Sequence, residues 1–422
     1  MSTQRCSKHN ISDLERQGAL PPVHPVESVR ELPVRDLTLR SIFTMDTLAS
    51  LKYLASAGLL KETGRECCGV LMSLVKDDRR SEGFIWRCRV CRNKVSIRHG
   101  SIFSSSKLDL LHALPLLYMW AADYDNRHCI REIDINKNTV VEWFARFRDA
   151  CDKYSHRMPK IGGPGRIVEF DQTCLVHQKH RGAKKAGTQV WYAVGVERRL
   201  DYNEGRCFAV RVKKRDAATL DSVLTNYVAP GTTLLTDEWR ATLNVQMRQA
   251  EQGWKHFVIR HKKETGGGFA RWARIDDIQL AESLGLRQNS HGNYWLRVHT
   301  NRCEGLNSHL KHKIKRLRGT ALHYVQGYLA ETVFRMNSRC LHLDPLEAFF
   351  NLVSVRSGLP EREERDEPVE EIDGNEIEVV DDEEVDERTE EERQRDDREL
   401  EFELDELPDG EGRDEDDGTV VG

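Results

Sequence analysis

Hydrophobic spacing changes character several times along the chain. From Thr47 to Leu60 the run TLASLKYLASAGLL sets apolar residues three and four apart, which predicts a helix that stops near Gly64. From Cys67 to Phe103 short alternating stretches surround an acidic-basic turn and a Cys-x-x-Cys pair, Cys88 and Cys91, the layout of a β-hairpin ribbon with a metal knuckle. Residues Lys107 to Tyr154 return to helical spacing. There LHALPLLYMWAADY predicts one helix and RHCIREID a short second one; a turn falls at Ile135-Asn136-Lys137, and Asn138 is placed to cap TVVEWFARFRDACDKY. Helix, short helix, turn and longer amphipathic helix is the order of a helix-turn-helix.

The segment IGGPG at 161–165 breaks the pattern, and β-rich runs follow: RIVEFDQTCLV, QVWYAVGVERR, RCFAVRVK and GTTLLTDEW, with a helical AATLDSVLTNYV before the last. HFVIRHK then reads as a fifth strand and NRCEGLNSHLKHKIKRLRG as a helix. This is an α/β order with mixed strand pairing. The expected organisation is a loosely structured leader over 1–45, a ribbon module with its preceding helix over 46–104, a helix-turn-helix over 105–160, an α/β domain over 161–355 and an acidic tail over 360–422. The leader carries Pro21, Pro22, Pro25 and Pro33 among polar residues. The tail has too little apolar area to offset chain entropy, which predicts disorder.

Charge sharpens this division. Residues 361–422 hold 32 acids and 7 bases, so the nominal net charge of −5 is the sum of about −25 in the tail and about +20 in the body. A body so basic points to a polyanionic partner, most simply nucleic acid, whose released counterions favour binding. The N-terminus lacks the apolar core of a secretory signal, and the longest apolar run, around Ala113 to Ala122, is too short to span a bilayer; the expectation is a soluble intracellular protein without membrane contact. Eleven cysteines without paired spacing read as free thiols plus a metal knuckle, not as a disulfide framework.

Three carboxylates stand out against this basic background. Asp171 lies inside the first strand of the α/β segment, Asp237 at the carboxyl end of the fourth, and Glu304 in the first turn of the closing helix. Ligand sites in open α/β sheets gather at strand ends, so the two aspartates converge if their strands are neighbours. On a helical projection from Glu304, Leu306, Leu310, Ile314 and Leu317 fall between roughly 200° and 280°, a buried stripe, while Ser308, Lys311, Lys315 and Arg318 lie within about 40° of Glu304. Glu304 is then the one acid on a cationic exposed face, a placement that makes electrostatic sense if a divalent cation sits between it and a phosphate. Three hard oxygen ligands suit Mg²⁺ or Mn²⁺ in phosphoryl transfer, where two ions sit about 3.5–4 Å apart.

At these residues the sequence resembles the Merlin-type DDE transposases and their bacterial insertion-sequence relatives. The matching segments are WRCRVCRNKVSIRHGSIF, VEFDQT followed by HRG at 180–182 and VWYAVGVER, the TDEWRA block, and HTNRCEGLNSHLK at 299–311. They occur in order, with 66 and 67 residues between successive acids and Lys311 seven after Glu304. The resemblance implies an RNase H-like catalytic domain, metal binding by Asp171, Asp237 and Glu304, and contact of Lys311 with the element end. The implied reaction is water attack on a phosphodiester at a transposon terminus, then attack of the freed 3′-hydroxyl on target DNA, both in-line and without a protein-bound intermediate. The partners implied are double-stranded DNA, as transposon ends and as target, and a second copy of the chain, since two ends must be joined. A nuclear location follows in a eukaryotic host.

Two departures from the family pattern are visible. Gln172 stands where the family commonly has an acid, and Arg65 stands where the ribbon's first cysteine would be, leaving Cys67 and Cys68 adjacent. Zinc binding through Cys68, Cys88 and Cys91 has Cys67 as its fourth ligand only if neighbouring strand residues can face the same way; the alternative is a ribbon held by Trp86, Ile97 and Phe103. Arg131, Lys137, Arg146 and Arg148 in the helix-turn-helix, Lys315 and Arg318 on the closing helix, and the loop HQKHRGAKK at 177–185 are candidate phosphate contacts. Two further functions stay in play: a catalytically silent, transposase-derived DNA-binding or regulatory protein, and a nuclease acting on RNA or hybrids. The acidic tail either solubilises, binds a basic partner, or occupies the chain's own DNA-binding face at an effective concentration on the order of millimolar.

Overall fold

A computed structural model describes residues 34–178, 189–198, 204–237, 252–259, 270–317, 322–355 and 377–379. The chain forms two compact units, residues 1–158 with 334–371, and residues 159–333 with 372–422.

In the first unit, structure begins inside the stretch expected as leader. Helix α1, Leu39–Phe43, is started by Thr38, whose hydroxyl accepts from the Ser41 N–H in a reciprocal capping box, and Leu37, Ile42 and Met45 are buried. Helix α2, Thr47–Ser56, is capped by the Asp46 carboxylate and stops short of Leu60, because Gly58 takes a left-handed φ of +77°. The ribbon follows: β1 (Glu66–Cys67) pairs antiparallel with β2 (Val70–Leu71), and β3 (Ser73–Lys76), β4 (Phe84–Arg87) and β5 (Lys94–Ser96) form a three-stranded antiparallel sheet.

Helices α3 (Leu110–Ala121), α4 (Asn126–Ile133) and α5 (Lys137–Ser155) come next. Asp134 ends α4 in the left-handed region, and the cap of α5 is Asn136, two residues before the expected Asn138: its side chain accepts from the Asn138 N–H at 2.8 Å. On α5, Val140, Trp143, Phe144, Phe147 and Cys151 recur at three and four residues and are buried. Phe147 meets Trp120 and Trp143 at ring-centroid separations of 5.3 and 5.6 Å, and Phe349, from a helix over Pro345–Val353, at 5.3 Å.

The second unit is built on one sheet. After β6 (Ile161–Gly162), strands β7 (Ile167–Gln178), β8 (Gln189–Arg198) and β9 (Glu204–Val212) run as an antiparallel meander. Helix α6 (Ala217–Tyr227) then crosses over, β10 (Val228–Ala229) pairs with β6, and β11 (Thr233–Asp237) adds parallel to β7. Strand β12 (Lys255–Ile259) adds parallel to β11, giving the order β12-β11-β7-β8-β9. The next elements were not expected from sequence: β13 (Arg271–Ile275) and β14 (Tyr294–Val298) pair antiparallel, with α7 (Ile278–Ser283) between them. Their apolar faces close over Ile167, Leu235 and Ile259 of the sheet. Helix α8 (Asn301–Arg316) packs on β7 and β8, and α9 (Leu322–Cys340) follows.

Within the acidic tail, Ile377–Val379 form a short strand, β15, paired antiparallel with Val176–Gln178 of β7. The rest of the tail, residues 1–33, most of the loop at 177–185, and Arg318 lie outside the described residues. Among the described residues no helix is long and apolar enough to cross a membrane.

Candidate active site and cysteine cluster

Parallel pairing of β7 and β11 brings the first two acids together. Thr236 is in register with Phe170, so the following residues, Asp237 and Asp171, sit level on adjacent strands about 4.8 Å apart at the backbone. Asp171 is half-buried by surface but enclosed by protein on nearly all sides, and its carboxyl is pushed up to about 7. Desolvation is the main cause, helped by the charges of Asp237 and Glu304 and opposed by two hydrogen bonds. Those bonds come from the Gln172 N–H to Oδ1 at 2.6 Å and from Asn307 Nδ2 to Oδ2 at 3.1 Å. Asn307 lies one turn after Glu304 on α8, so the same bond that holds Asp171 also seats the helix carrying the third acid. Glu304 is exposed at the start of α8, and its charge reaches Asp171.

What places α8 is a second carboxylate that sequence reasoning missed. Thr300, at the N-cap position, makes no side-chain capping bond. Glu169, on the same face of β7 as Asp171 and 0% exposed, takes over: its Oε2 accepts from the Arg302 N–H at 2.8 Å. Its Oε1 accepts from Arg198 Nε and Nη2 at 3.1 and 2.9 Å, and Arg198 also donates to the Arg297 carbonyl at 2.8 Å. The charge of Glu169 is therefore matched by a guanidinium and a helix N-terminus. His299 at the edge of this network is held well below the usual imidazole range, first by burial and then by Arg198, Arg297 and Arg302.

A cation was also missed. Arg215 lies face-on to the Trp191 ring, with its guanidinium carbon 3.7 Å from the centroid, and donates from Nε to Gln172 Oε1 at 3.0 Å. It feels the charges of both Asp237 and Asp171. Gln172 thus has a defined task at the position where an acid was expected: it fixes Arg215. The only sequence signal was the basic stretch Lys213-Lys214-Arg215 just before α6.

The structure corrects several expected surface residues. Lys311 is 7% exposed, because the buried face of α8 extends past the leucine stripe to include Asn307; Lys311 does not belong to an outward cationic row. Arg148 is likewise 7% exposed within α5. Arg146 is half-buried and engaged with Glu142 at 3.0 Å, the Ser104 carbonyl at 3.3 Å and the Trp143 ring at 5.2 Å. Both arginines serve the packing of α5, not an outer contact. Arg131, Lys137 and Lys315 are exposed as expected.

In the ribbon, Cys67, Cys68, Cys88 and Cys91 come together with all four sulfurs within 4.8 Å of one another. The expected obstacle, adjacent cysteines on opposite faces, is removed by the backbone: Cys68 has φ +53° and Gly69 +72°, so the chain turns between β1 and β2 and both thiols reach the same side. Cys67 Sγ lies 3.9 Å from Cys68 Sγ and 3.6 Å from Cys91 Sγ. A tetrahedral zinc with Zn–S bonds of about 2.3 Å requires sulfurs about 3.8 Å apart, so the donor set fits that ion. Without it the thiols share protons unevenly. The hydrogen bond to Cys91 pushes Cys67 up to about 12, while the backbone N–H groups of Cys91 and Val90 bring Cys88 down to about 7.

Residues 163–337, which include all three acids, match the family model described as the ISXO2-like transposase domain. The match supports a transposase family for this part of the chain. Male abnormal protein mab-31 of Caenorhabditis elegans is 27% identical over 164 residues, covering 33% of this chain and 37% of that protein. The chain therefore spans little more than a third of that relative. A solved structure titled as the Drosophila P element transposase strand transfer complex is similar at 11% identity and a TM-score of 0.21, covering 58% of this chain and 63% of that chain.

Proposed function

We propose that the protein is a DNA transposase whose second unit cleaves phosphodiester bonds at transposon ends and transfers the freed strand to target DNA. The observation that carries this reading is the parallel pairing that sets Asp171 and Asp237 level on adjacent strands, close enough for Asp237 to raise Asp171, with Glu304 on α8 adding the smallest share. Among the described residues the three carboxylates are not drawn together as tightly as the four cysteines. Like charges gathered where desolvation is costly are matched by a divalent cation, and Asn307 Oδ1 adds a buried oxygen that has no hydrogen-bond partner among the described residues. The sheet order β12-β11-β7-β8-β9, with its antiparallel meander and two parallel strands, supports an RNase H-like domain.

In this mechanism Asp171, Asp237 and Glu304 would hold Mg²⁺ or Mn²⁺, which when bound would supply activation of the attacking oxygen and stabilisation of the leaving one. The chain's own residues do the positioning. Gln172 and Asn307 orient the two oxygens of Asp171, Glu169 seats the start of α8, the helix that carries Glu304, and Arg215 offsets the negative charge of Asp237 and Asp171. Arg131, Lys137 and Lys315 remain candidates for phosphate anchoring, and α3 to α5 for a helix-turn-helix that reads DNA. Zinc on the four cysteines would fix the ribbon. The work is that of a homo-oligomer, nuclear in a eukaryotic host, with the acidic tail competing for the basic face or engaging a basic partner.

The test is cleavage of a duplex bearing the cognate terminal repeat, with Mg²⁺ or Mn²⁺, by the wild type and by Asp237→Asn. Cleavage by the wild type alone supports the enzyme. Metal-independent or equal activity removes the catalytic assignment, and DNA binding with no cleavage in either protein favours the silent, regulatory descendant.

A further inference from the structure

Asn307 carries more than a structural bond. It is 6% exposed, Nδ2 is committed to Asp171 Oδ2 at 3.1 Å, and Oδ1 is sealed from solvent without a hydrogen-bond partner among the described residues. With Asp171 ionised, as a bound cation would hold it, the NH₂ group is the end of the amide that donates to the carboxylate. A buried amide oxygen left unmatched costs about 1–3 kcal/mol, which sequences seldom retain without a ligand or water to satisfy it. Amide geometry puts Oδ1 about 2.3 Å from Nδ2, hence within about 5.4 Å of the Asp171 oxygen. That gap suits one layer of cation hydration, and magnesium-like ions keep several waters.

We propose that Asn307 is a further member of the cation site, its Oδ1 accepting a hydrogen bond from the hydration shell of a divalent ion held by the three acids, while its Nδ2 fixes the ligand Asp171. This deepens the reading of the acids as a metal site and rests on it. The ligand class is a hard, hydrated divalent cation. Asn307 is thus a positioning residue with two jobs, one on each side of its amide. Outer-shell partners of this kind typically contribute 10–100-fold to metal affinity.

The experiment measures Mn²⁺ binding by electron paramagnetic resonance and calorimetry, without DNA, on the full chain with its cysteine cluster saturated with Zn²⁺. Asn307→Ala is expected to weaken Mn²⁺ about 10–100-fold. Asn307→Asp, which keeps an oxygen on that side while losing the donor, is expected to bind within a few-fold of the wild type or tighter. A residue that merely pins Asp171 gives the opposite order, because the aspartate variant loses the donor and adds repulsion. Unchanged affinity in Asn307→Ala, or Asn307→Asp as weak as Asn307→Ala, overturns the inference. Asp237→Asn separates the two levels: if it abolishes Mn²⁺ binding while Asn307→Ala does not alter it, only Asn307's role falls. If the wild type binds no Mn²⁺ outside the cysteines, or Asp237→Asn binds as well as the wild type, the reading of the acids falls with it. Thermal unfolding without Mn²⁺ checks that each variant is folded, and Asn307→Ser, which retains an oxygen and a donor in a shorter side chain, is expected to lie between the wild type and Asn307→Ala. A serine variant no better than alanine counts against the inference.

Discussion

Replacing Asp171 by asparagine should make the cation-free protein more stable, and by an amount that depends on pH. In the folded chain the Asp171 carboxyl is pushed up to about 7 from an ordinary 3.8, chiefly by desolvation and then by Asp237. Native protein therefore binds a proton that the unfolded chain has already released, and the group's contribution to stability is lost as pH rises from 3.8 through 7. The full difference is about 4 kcal/mol above pH 7, but only about 1.6 kcal/mol at pH 5. The amide carbonyl can accept one of the two present hydrogen bonds; losing the other costs about 1 kcal/mol. The net expectation is a gain of about 3 kcal/mol at pH 8 shrinking to about 0.5 kcal/mol at pH 5. Urea denaturation of both proteins at the two pH values, with zinc as the only divalent ion, reads this directly. A variant less stable than the wild type at pH 8, or a difference that does not change with pH, would refute the reasoning.

The same titration predicts that Mn²⁺ affinity rises between pH 5 and about 7 and levels off above, because the cation must displace the Asp171 proton; calorimetry in buffers of different ionisation enthalpy counts that proton. Glu169→Ala should destabilise the protein by about 3–5 kcal/mol, since it leaves Arg198 buried without its carboxylate and strips the N-terminus of α8; Glu169→Gln, which still offers one acceptor, should lose less, as urea titrations will show. Cys67→Ser and Cys88→Ser should each reduce zinc retention from one ion per chain in a metal assay, and a Cys67→Ser protein that holds zinc as tightly as the wild type would contradict the four-sulfur site.

The three acids proposed as the metal site stood out in sequence because each breaks an otherwise hydrophobic or basic run. Strand ends are marked by an abrupt change of polarity, as in TTLLTD, and a lone acid stands out on the cationic helix of Glu304. The supporting residues were not legible. Glu169 looks like any polar residue in an alternating strand; only tertiary contact with Arg198 and Arg302 reveals a cap supplied from another element. The β13–β14 hairpin was missed since its short runs, such as RWARI, carry charges at alternate positions and weak hydrophobic content. Burial of Lys311 and Arg148 escaped for a related reason. A helical projection marks the direction of a long side chain but not the width of the face that neighbouring elements cover, and a flexible stem can be enclosed at the margin of an apolar stripe. The cysteine ribbon failed on a local rule: alternation holds for extended backbone, and the left-handed turn at Cys68 breaks it.

The most direct test is anomalous X-ray scattering at the manganese edge from crystals of the full chain grown with Mn²⁺. The account predicts a peak bounded by carboxylate oxygens of Asp171, Asp237 and Glu304, lost in Asp237→Asn. Manganese at the cysteines alone, or none near the two aspartates at saturating concentration, would contradict it.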